Sequence, residues 1–475
     1  MNSVEQMMDR RSSSGARGLR DTFSGPVYLP GEDGYEAARL PWRRNIDPHP
    51  TIVAEASRAE DVRAALLTAR QHDLPFAVQS TGHGVVLPAD GGLLVKTSRM
   101  NAVYVDPEWR TARVGPGALW SDVIAAAAPF GLAPLSGTPS VGVAGYTLGG
   151  GTGWLSRTYG FAADSLLLAE VVTAEGEVLT ASAGEHLDLF WAIRGGSGNF
   201  GVVTELTCRL YPVDRVYAGV SLYAIDRAAE TFARYRDWAI EEPDELSTAI
   251  MLLQMPPAPH LPEPVRGKRV LAIRVFSLAQ AEASERRLAP LLAAAGPPLL
   301  SGFGTMTFAE AGMAIAGPPS PPMAARQHLD LFREVSDDLI DTLIEAAGDG
   351  SDSPLAAIEL RYWGGAMARP AADAGPVGHR DVPFSVTAAA MFDGSRERDG
   401  IDAYVDRLAA RLRPHATGGS FLNFLSDPTR TETAYAAEDY RRLVALKQIY
   451  DLDNVFHLNH NIPPRPEPNR SPSII

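Results

Sequence analysis

The chain has 475 residues, 45% of them apolar and 21% charged, with a formal charge of −14. Its length exceeds one ordinary core and suits two domains, and its composition is that of a globular protein, neither disordered nor fibrous. The acidic balance excludes electrostatic capture of nucleic acid or an anionic membrane and favours a neutral or cationic small substrate; no apolar run approaches the roughly 20 residues that span a bilayer.

In chain order, the opening MNSVEQMMDRRSSSGARGLRD carries Arg10 and Arg11, but Ser and Gly follow where an export signal needs an apolar core. Residues 1–35 therefore read as a flexible tail, and a cytoplasmic location is expected. TIVAEA (51–56) reads as a strand, and Ser57 with Glu60 forms a capping-box pattern before a helix with Val62, Ala65, Leu66 and Ala69 on one face. PFAVQS (75–80) is the next strand, and it runs into VQSTGHGVV, where His83 stands between two glycines. A strand end after a strand–helix–strand unit is a usual place for ligand chemistry.

LLVKTS, TARVG and LAEVVTA follow as strands and SDVIAAAAPFG as an amphipathic helix. SGTPSVGVAGYTLGGGTGW (136–154) is dense in glycine, which lets backbone approach something flat or phosphorylated. The interleaved Val141, Val143, Leu148 and Trp154 predict a packed loop and not a mobile one. GSGNFG (196–201) matches the dinucleotide fingerprint, but HLDLFWAIRG before it reads as a helix and VVTELTCRL after it as a strand, the reverse of what a phosphate site at a helix start requires. Cys208, the one cysteine, reads as a small buried strand residue; alone it forms neither an internal disulfide nor a cysteine zinc cluster.

From about residue 215 the glycine signature fades, and MPPAPHLPEP and GPPSPP punctuate a region of different texture. EDYRRLVALKQIYD then places Leu443, Leu446 and Ile449 at helical spacing before NVFHLNHNIPP, a tail expected to pack on the first domain. His457 and His460 lie in a loop-like setting without a third ligand, so no metal is expected. Phosphate-loop, zinc-helix and nucleophile-elbow motifs are missing from the sequence, which removes the main support for kinase and hydrolase readings.

Five motifs in order, VQSTGHG, GTPSVGVAGYTLGGGTGW, LFWAIRGGSGNFGVVTE, NFLSD and YDLDNVFHLNHNIPP, make the chain resemble the FAD-linked oxidases of the vanillyl-alcohol oxidase superfamily, in their berberine-bridge-enzyme-like branch. The resemblance implies an α+β, two-domain FAD-linked oxidase fold. The FAD-binding domain would come from residues 36–214 and 425–475, with a substrate domain built on an antiparallel sheet (215–424) inserted between. It implies that His83 bonds covalently to the 8α-methyl of FAD. By the same resemblance Gln79, Ser80, Thr81, Gly82 and Gly84 would line the cofactor, as would Thr138, Ser140, Val141, Gly142, Gly145, Gly149, Gly150 and Gly153. Val202 and Val203 would lie near the adenine and Asn459 and Asn461 near the isoalloxazine.

Three positions depart from the family pattern. Thr138 stands where many relatives carry a second, cysteinyl flavin bond, so a single covalent bond is expected. Gln79 replaces an arginine, removing a cation near the pyrophosphate. Phe421 replaces the tyrosine that carbohydrate-oxidising relatives use as a base, and it cannot take a proton. Tyr146, Glu359, Arg361, Tyr362 and His379 remain as catalytic candidates. The expected activity is oxidation of a small alcohol, amine or natural-product intermediate by hydride transfer to flavin N5, with O2 as acceptor. The alternatives are an oligosaccharide oxidase, which Phe421 disfavours, a flavin dehydrogenase with another acceptor, and a flavin-binding protein without turnover. A nicotinamide dehydrogenase ranks behind them. Oligomeric state has no signature in the sequence.

Overall fold

The computed structural model of the chain describes residues 14–317, 320–392 and 398–465. Three larger sheets organise the described residues, beside a two-stranded pair of Leu132–Ala133 with Tyr211–Pro212. In the first, strands Ile52–Glu55, Leu93–Lys96 and Phe76–Gln79 run parallel, and Val27–Tyr28 pairs antiparallel on the Ile52–Glu55 edge. The helix Ala59–Gln71 crosses between two of the parallel strands, with Val62, Ala65, Leu66 and Ala69 buried as their spacing predicts. Its N-cap differs from the expected box. Arg58 occupies the cap, and the buried Asp61 carboxylate accepts the N–H groups of Ser57 (2.9 Å) and Ser24 (3.0 Å).

That second bond corrects the reading of the N-terminus. Residues 14–20 are helical, Ala16, Leu19 and Phe23 are buried against Ile52, Leu66 and Val95, and Val27–Tyr28 adds a strand. Only residues 1–13 of the expected tail lie outside the described residues.

The second sheet is five-stranded and antiparallel, ordered Val103–Asp106, Thr111–Val114, Val202–Arg209, Leu166–Val172 and Val178–Ser182. Cys208 sits buried in its central strand, where burial pushes the thiol up to about 12. The C-terminal helix Ala437–Tyr450 packs here through Leu443, Val444 and Leu446. Ile449 is 67% exposed, and the fully buried Lys447 takes a place on the inward stripe instead.

The third sheet has eight strands. Its central order is Arg215–Tyr223, Arg269–Ser277, Leu246–Gln254, Ala357–Tyr362, Phe384–Phe392 and Ala324–Phe332, all antiparallel. One face buries Ile250, Ile273, Leu360 and Val386 under helices Ala228–Ala239, Ala281–Ala295, Asp337–Ala347 and Arg398–Leu412. Side chains alternate across a strand, so the other face carries Arg274, Ala249, Arg361 and Ser385 in one register row and Met251, Glu359 and Thr387 in the next. Ser247 Oγ donates to Trp154 O (2.8 Å) and Arg361 Nη2 to Gly153 O (2.7 Å), so this polar face meets the glycine-rich segment.

Candidate active site

The parallel strand Phe76–Gln79 ends in the turn that carries His83. Gly82 holds φ +79°, and a Cβ there would fall 2.5 Å from Pro41 Cβ, so the glycine is required both by conformation and by close approach. The half-buried His83 ring stacks on Trp42 at 4.2 Å between centroids and 16° between planes. Its Nδ1 lies 2.9 Å from Thr81 Oγ1. Burial, with a contribution from Arg43, pushes the imidazole down to about 4, so it is neutral at physiological pH. One ring nitrogen can then engage Thr81 while the other keeps a lone pair, the condition for a nucleophile.

Gln79 and Lys96 are register partners on adjacent strands, and both reach Leu40 O, at 3.4 and 3.3 Å. Burial lowers the Lys96 ammonium to about 8. A cation therefore stands beside the position where the family arginine is replaced, on a neighbouring strand where motif reading had no means of finding it.

The glycine-rich segment is packed, as its apolar residues predict, and Val143–Leu148 forms a short helix within it. A Cβ at Gly142 would meet Ser80 Oγ and Thr81 Cγ2 at 3.0 Å, so this segment and the His83 turn lie side by side. Gly84 and Gly145 are exposed, with no atom within 4 Å of a Cβ position, whereas Gly149 presses on Asn423, Gly150 on Phe421 and Gly153 on Ser136 O. Asn423 accepts from Gly151 N (2.9 Å) and donates to Tyr146 O (3.1 Å), which ties NFLSD to the glycines. Thr138 is exposed and Ser140 and Val141 are half-buried.

GSGNFG follows a helix (Leu187–Ile193) and precedes a strand, the order that argued against a dinucleotide site. Asn199 within it is fully buried and holds the C-terminal loop: Nδ2 donates to His460 O (3.0 Å) and Oδ1 accepts from Ile462 N (2.9 Å). Asn459 and Asn461 flank the residue so held. Val202 and Val203 bury their side chains in separate apolar clusters and so can offer a ligand only backbone. His457 and His460 bond to Asn454 O and Leu425 O, separate tethers and not a ligand pair.

Ser80 Oγ, Asn459 Oδ1 and Asn461 Oδ1 are buried yet have no hydrogen-bond partner among the described residues. Such atoms cost about 1–3 kcal/mol each unless something satisfies them. Their presence on two chain segments implied to touch the cofactor is what a polar ligand in that cradle would explain, and the residues fit FAD.

Comparison with known proteins agrees. Residues 50–182 match an FAD binding domain and residues 420–463 a "Berberine and berberine like" domain. Over 462 residues the chain is 29% identical to (R)-6-hydroxynicotine oxidase of Paenarthrobacter nicotinovorans, covering 93% of this chain and 97% of that one. The chain belongs to the berberine-bridge-enzyme-like FAD-linked oxidoreductases. The solved 6-hydroxy-D-nicotine oxidase of Arthrobacter nicotinovorans superposes with a TM-score of 0.80 at 25% identity over 94% of this chain and 99% of that one. Berberine bridge enzyme from Eschscholzia californica superposes at 0.81, with 20% identity over 96% and 99%, which shows the shared two-domain FAD oxidase fold.

In this FAD-dependent oxidase the catalytic candidates separate. Tyr146 is wedged between Gly137 and Gly151, edge-on to Trp120 at 5.5 Å, with its hydroxyl buried and unpartnered among the described residues. Burial raises its pKa far above the usual phenol range, so it keeps its proton and can only donate at neutral pH. Arg361 lies over Trp154 at 4.3 Å and bonds Gly153 O, so it and Tyr146 share the interface between sheet and glycine segment, while Glu359 pairs with Arg274 at 2.8 Å within the sheet. Two candidates fall away. Tyr362 alternates to the helix-covered face and packs into that core, and His379 Nε2 is tied to Thr433 O at 2.8 Å. Phe421 is buried, stacked on Phe161 at 5.6 Å and edge-on to Trp363 at 5.2 Å.

Proposed function

We propose that the protein is an oxidase carrying FAD on a single covalent bond to His83, and that it oxidises a small amine, with O2 as the terminal acceptor. When bound, FAD supplies the hydride acceptor; the chain's own residues hold it and place the donor on the polar sheet face. The observation that carries the choice of donor is that, among the described residues, none of the bases considered at the site is free to take a proton. Phe421 has no proton-accepting group, the Tyr146 phenol stays protonated, and the Glu359 carboxylate is engaged by Arg274.

An alcohol losing hydride leaves a strongly acidic protonated carbonyl and gains from a base that removes the O–H proton. A neutral amine needs none, because its nitrogen lone pair stabilises the cation that forms. The net charge of −14 further favours a donor that is neutral or cationic in solution. The full-length relative named for hydroxynicotine, itself an amine, supports the same class.

The test is peroxide release from matched secondary amines and alcohols built on the same small ring systems. Turnover of amines, with kcat/KM rising with pH up to the substrate's own pKa, is expected. Turnover of the alcohols alone would overturn the donor assignment and point to a base elsewhere.

A further inference from the structure

The segment just before the first parallel strand lies outside the five motifs quoted above, yet it is bonded to the His83 turn along its length. At its start, Leu40 O accepts from both Gln79 Nε2 and Lys96 Nζ. Pro41 fills the space that a side chain at Gly82 would need. Trp42 N donates to Thr81 O (3.0 Å) and Arg43 N to Gly82 O (3.3 Å), so the two chains are zipped on either side of the turn. The outer edge is held as well: Met323 N donates to Trp42 O (3.1 Å), Arg44 N to Met323 O (2.9 Å), and Trp42 Nε1 to Ser320 O (3.4 Å). The indole that results lies flat on the His83 imidazole.

We infer that residues 40–44 form a strap that fixes the plane of the His83 ring for bond formation to FAD, with Trp42 as the positioning residue. The inference rests on the covalent reading of His83. In that bond formation the 8α carbon and an imidazole N–H each give up one hydrogen and an N–C bond forms. The two protons and two electrons so released reduce the ring and pass from there to O2, giving hydrogen peroxide. Attack needs the nitrogen lone pair, which lies in the ring plane, aimed at that carbon. A free histidine side chain rotates about two bonds, and the stacked indole, carried on a backbone bonded at both edges and donating through Nε1 to Ser320 O, removes that freedom. Orientation of this kind is worth large factors in rate, on the order of a hundredfold for misplacement by 1 Å.

The test follows covalent attachment in apoprotein supplied with FAD, by flavin retained in acid-precipitated protein over time, in wild type, Trp42→Leu and Trp42→Phe. Non-covalent FAD affinity is measured in parallel with His83→Ala, alone and combined with Trp42→Leu. The strap predicts attachment in Trp42→Leu slower by about tenfold or more, restored to within about threefold by Trp42→Phe, with non-covalent affinity unchanged. Attachment in Trp42→Leu at the wild-type rate overturns the strap, as does an equal loss of non-covalent affinity, which marks a general binding defect. If Trp42→Leu does not fold, Trp42→Met carries the same comparison. A wild-type protein that never retains flavin overturns the covalent reading itself, and the strap with it.

Discussion

Replacing Lys447 by methionine should loosen the C-terminal loop that carries Asn459 and Asn461. Lys447 Nζ lies 2.6 Å from Asp451 Oδ2, with both side chains fully buried, and it also donates to Asn199 O (2.9 Å) and Phe456 O (3.2 Å). Asp451 in turn accepts from Val455 N (2.7 Å) and Phe456 N (2.9 Å). Methionine fills the volume but leaves a buried carboxylate with only two amide donors and two carbonyls that lose the ammonium. Removing one partner of a buried pair costs about 3–5 kcal/mol. Because the two amides still serve Asp451, the lower end of that range is expected. Lys447→Met with Asp451→Asn should recover about 1–2 kcal/mol, since the uncompensated charge is gone. Urea unfolding followed by tryptophan fluorescence measures both. A loss below about 1 kcal/mol for the single variant, or a double variant less stable than the single, would refute this account of the ion pair.

Asn461→Leu should leave apoprotein stability unchanged or slightly higher, because the amide oxygen it removes is buried and unpartnered, yet weaken FAD binding. Equal FAD affinity in titrations would refute the cradle. Gly151→Ala should cost about 2–5 kcal/mol, because φ is +71° and a Cβ would lie 2.5 Å from the Tyr146 ring and 2.8 Å from Ala162 Cβ; a neutral effect on urea unfolding would contradict that packing. His83 has a folded pKa of about 4 against 6.5 when free, so between those values the unfolded chain binds more protons and apoprotein stability rises with pH. His83→Gln should remove about 1–3 kcal/mol of that rise, and identical acid limbs in the two proteins would show that the ring is not held neutral.

Much of the architecture is legible in local pattern, because a helix such as Ala59–Gln71 and a strand such as Phe76–Gln79 declare themselves by the spacing of residues that become buried. Local pattern misleads where a distant segment supplies the partner. Asp61, and not the Ser57–Glu60 box, organises the helix start because Ser24 comes from the N-terminal segment to bond it. Ala16, Leu19 and Phe23 already stand at helical spacing, but the serine-rich and basic surroundings hide the signal. Lys447 looks polar and Ile449 apolar in sequence, yet their positions invert because Asp451, Asn199 and Phe456 satisfy the ammonium.

The site shows the same division. The close approaches at Gly82, Gly142 and Gly153 are readable because a crowded backbone admits few residue types. Lys96 beside Gln79 is visible only once strand register is known, and the Trp42 strap only once residues 42, 83 and 320 are brought together. Tyr362 is a catalytic candidate in the sequence through its place in ELRYWGGA, but strand alternation turns it toward the helix-covered core.

The most direct test of the central claim is acid precipitation of the purified protein beside His83→Ala, reading where the flavin absorbance goes. Flavin retained in the wild-type pellet and released to the supernatant by the variant is the predicted result. Flavin in the supernatant from both proteins would contradict a covalent bond at His83, and flavin retained by both would place that bond on another residue.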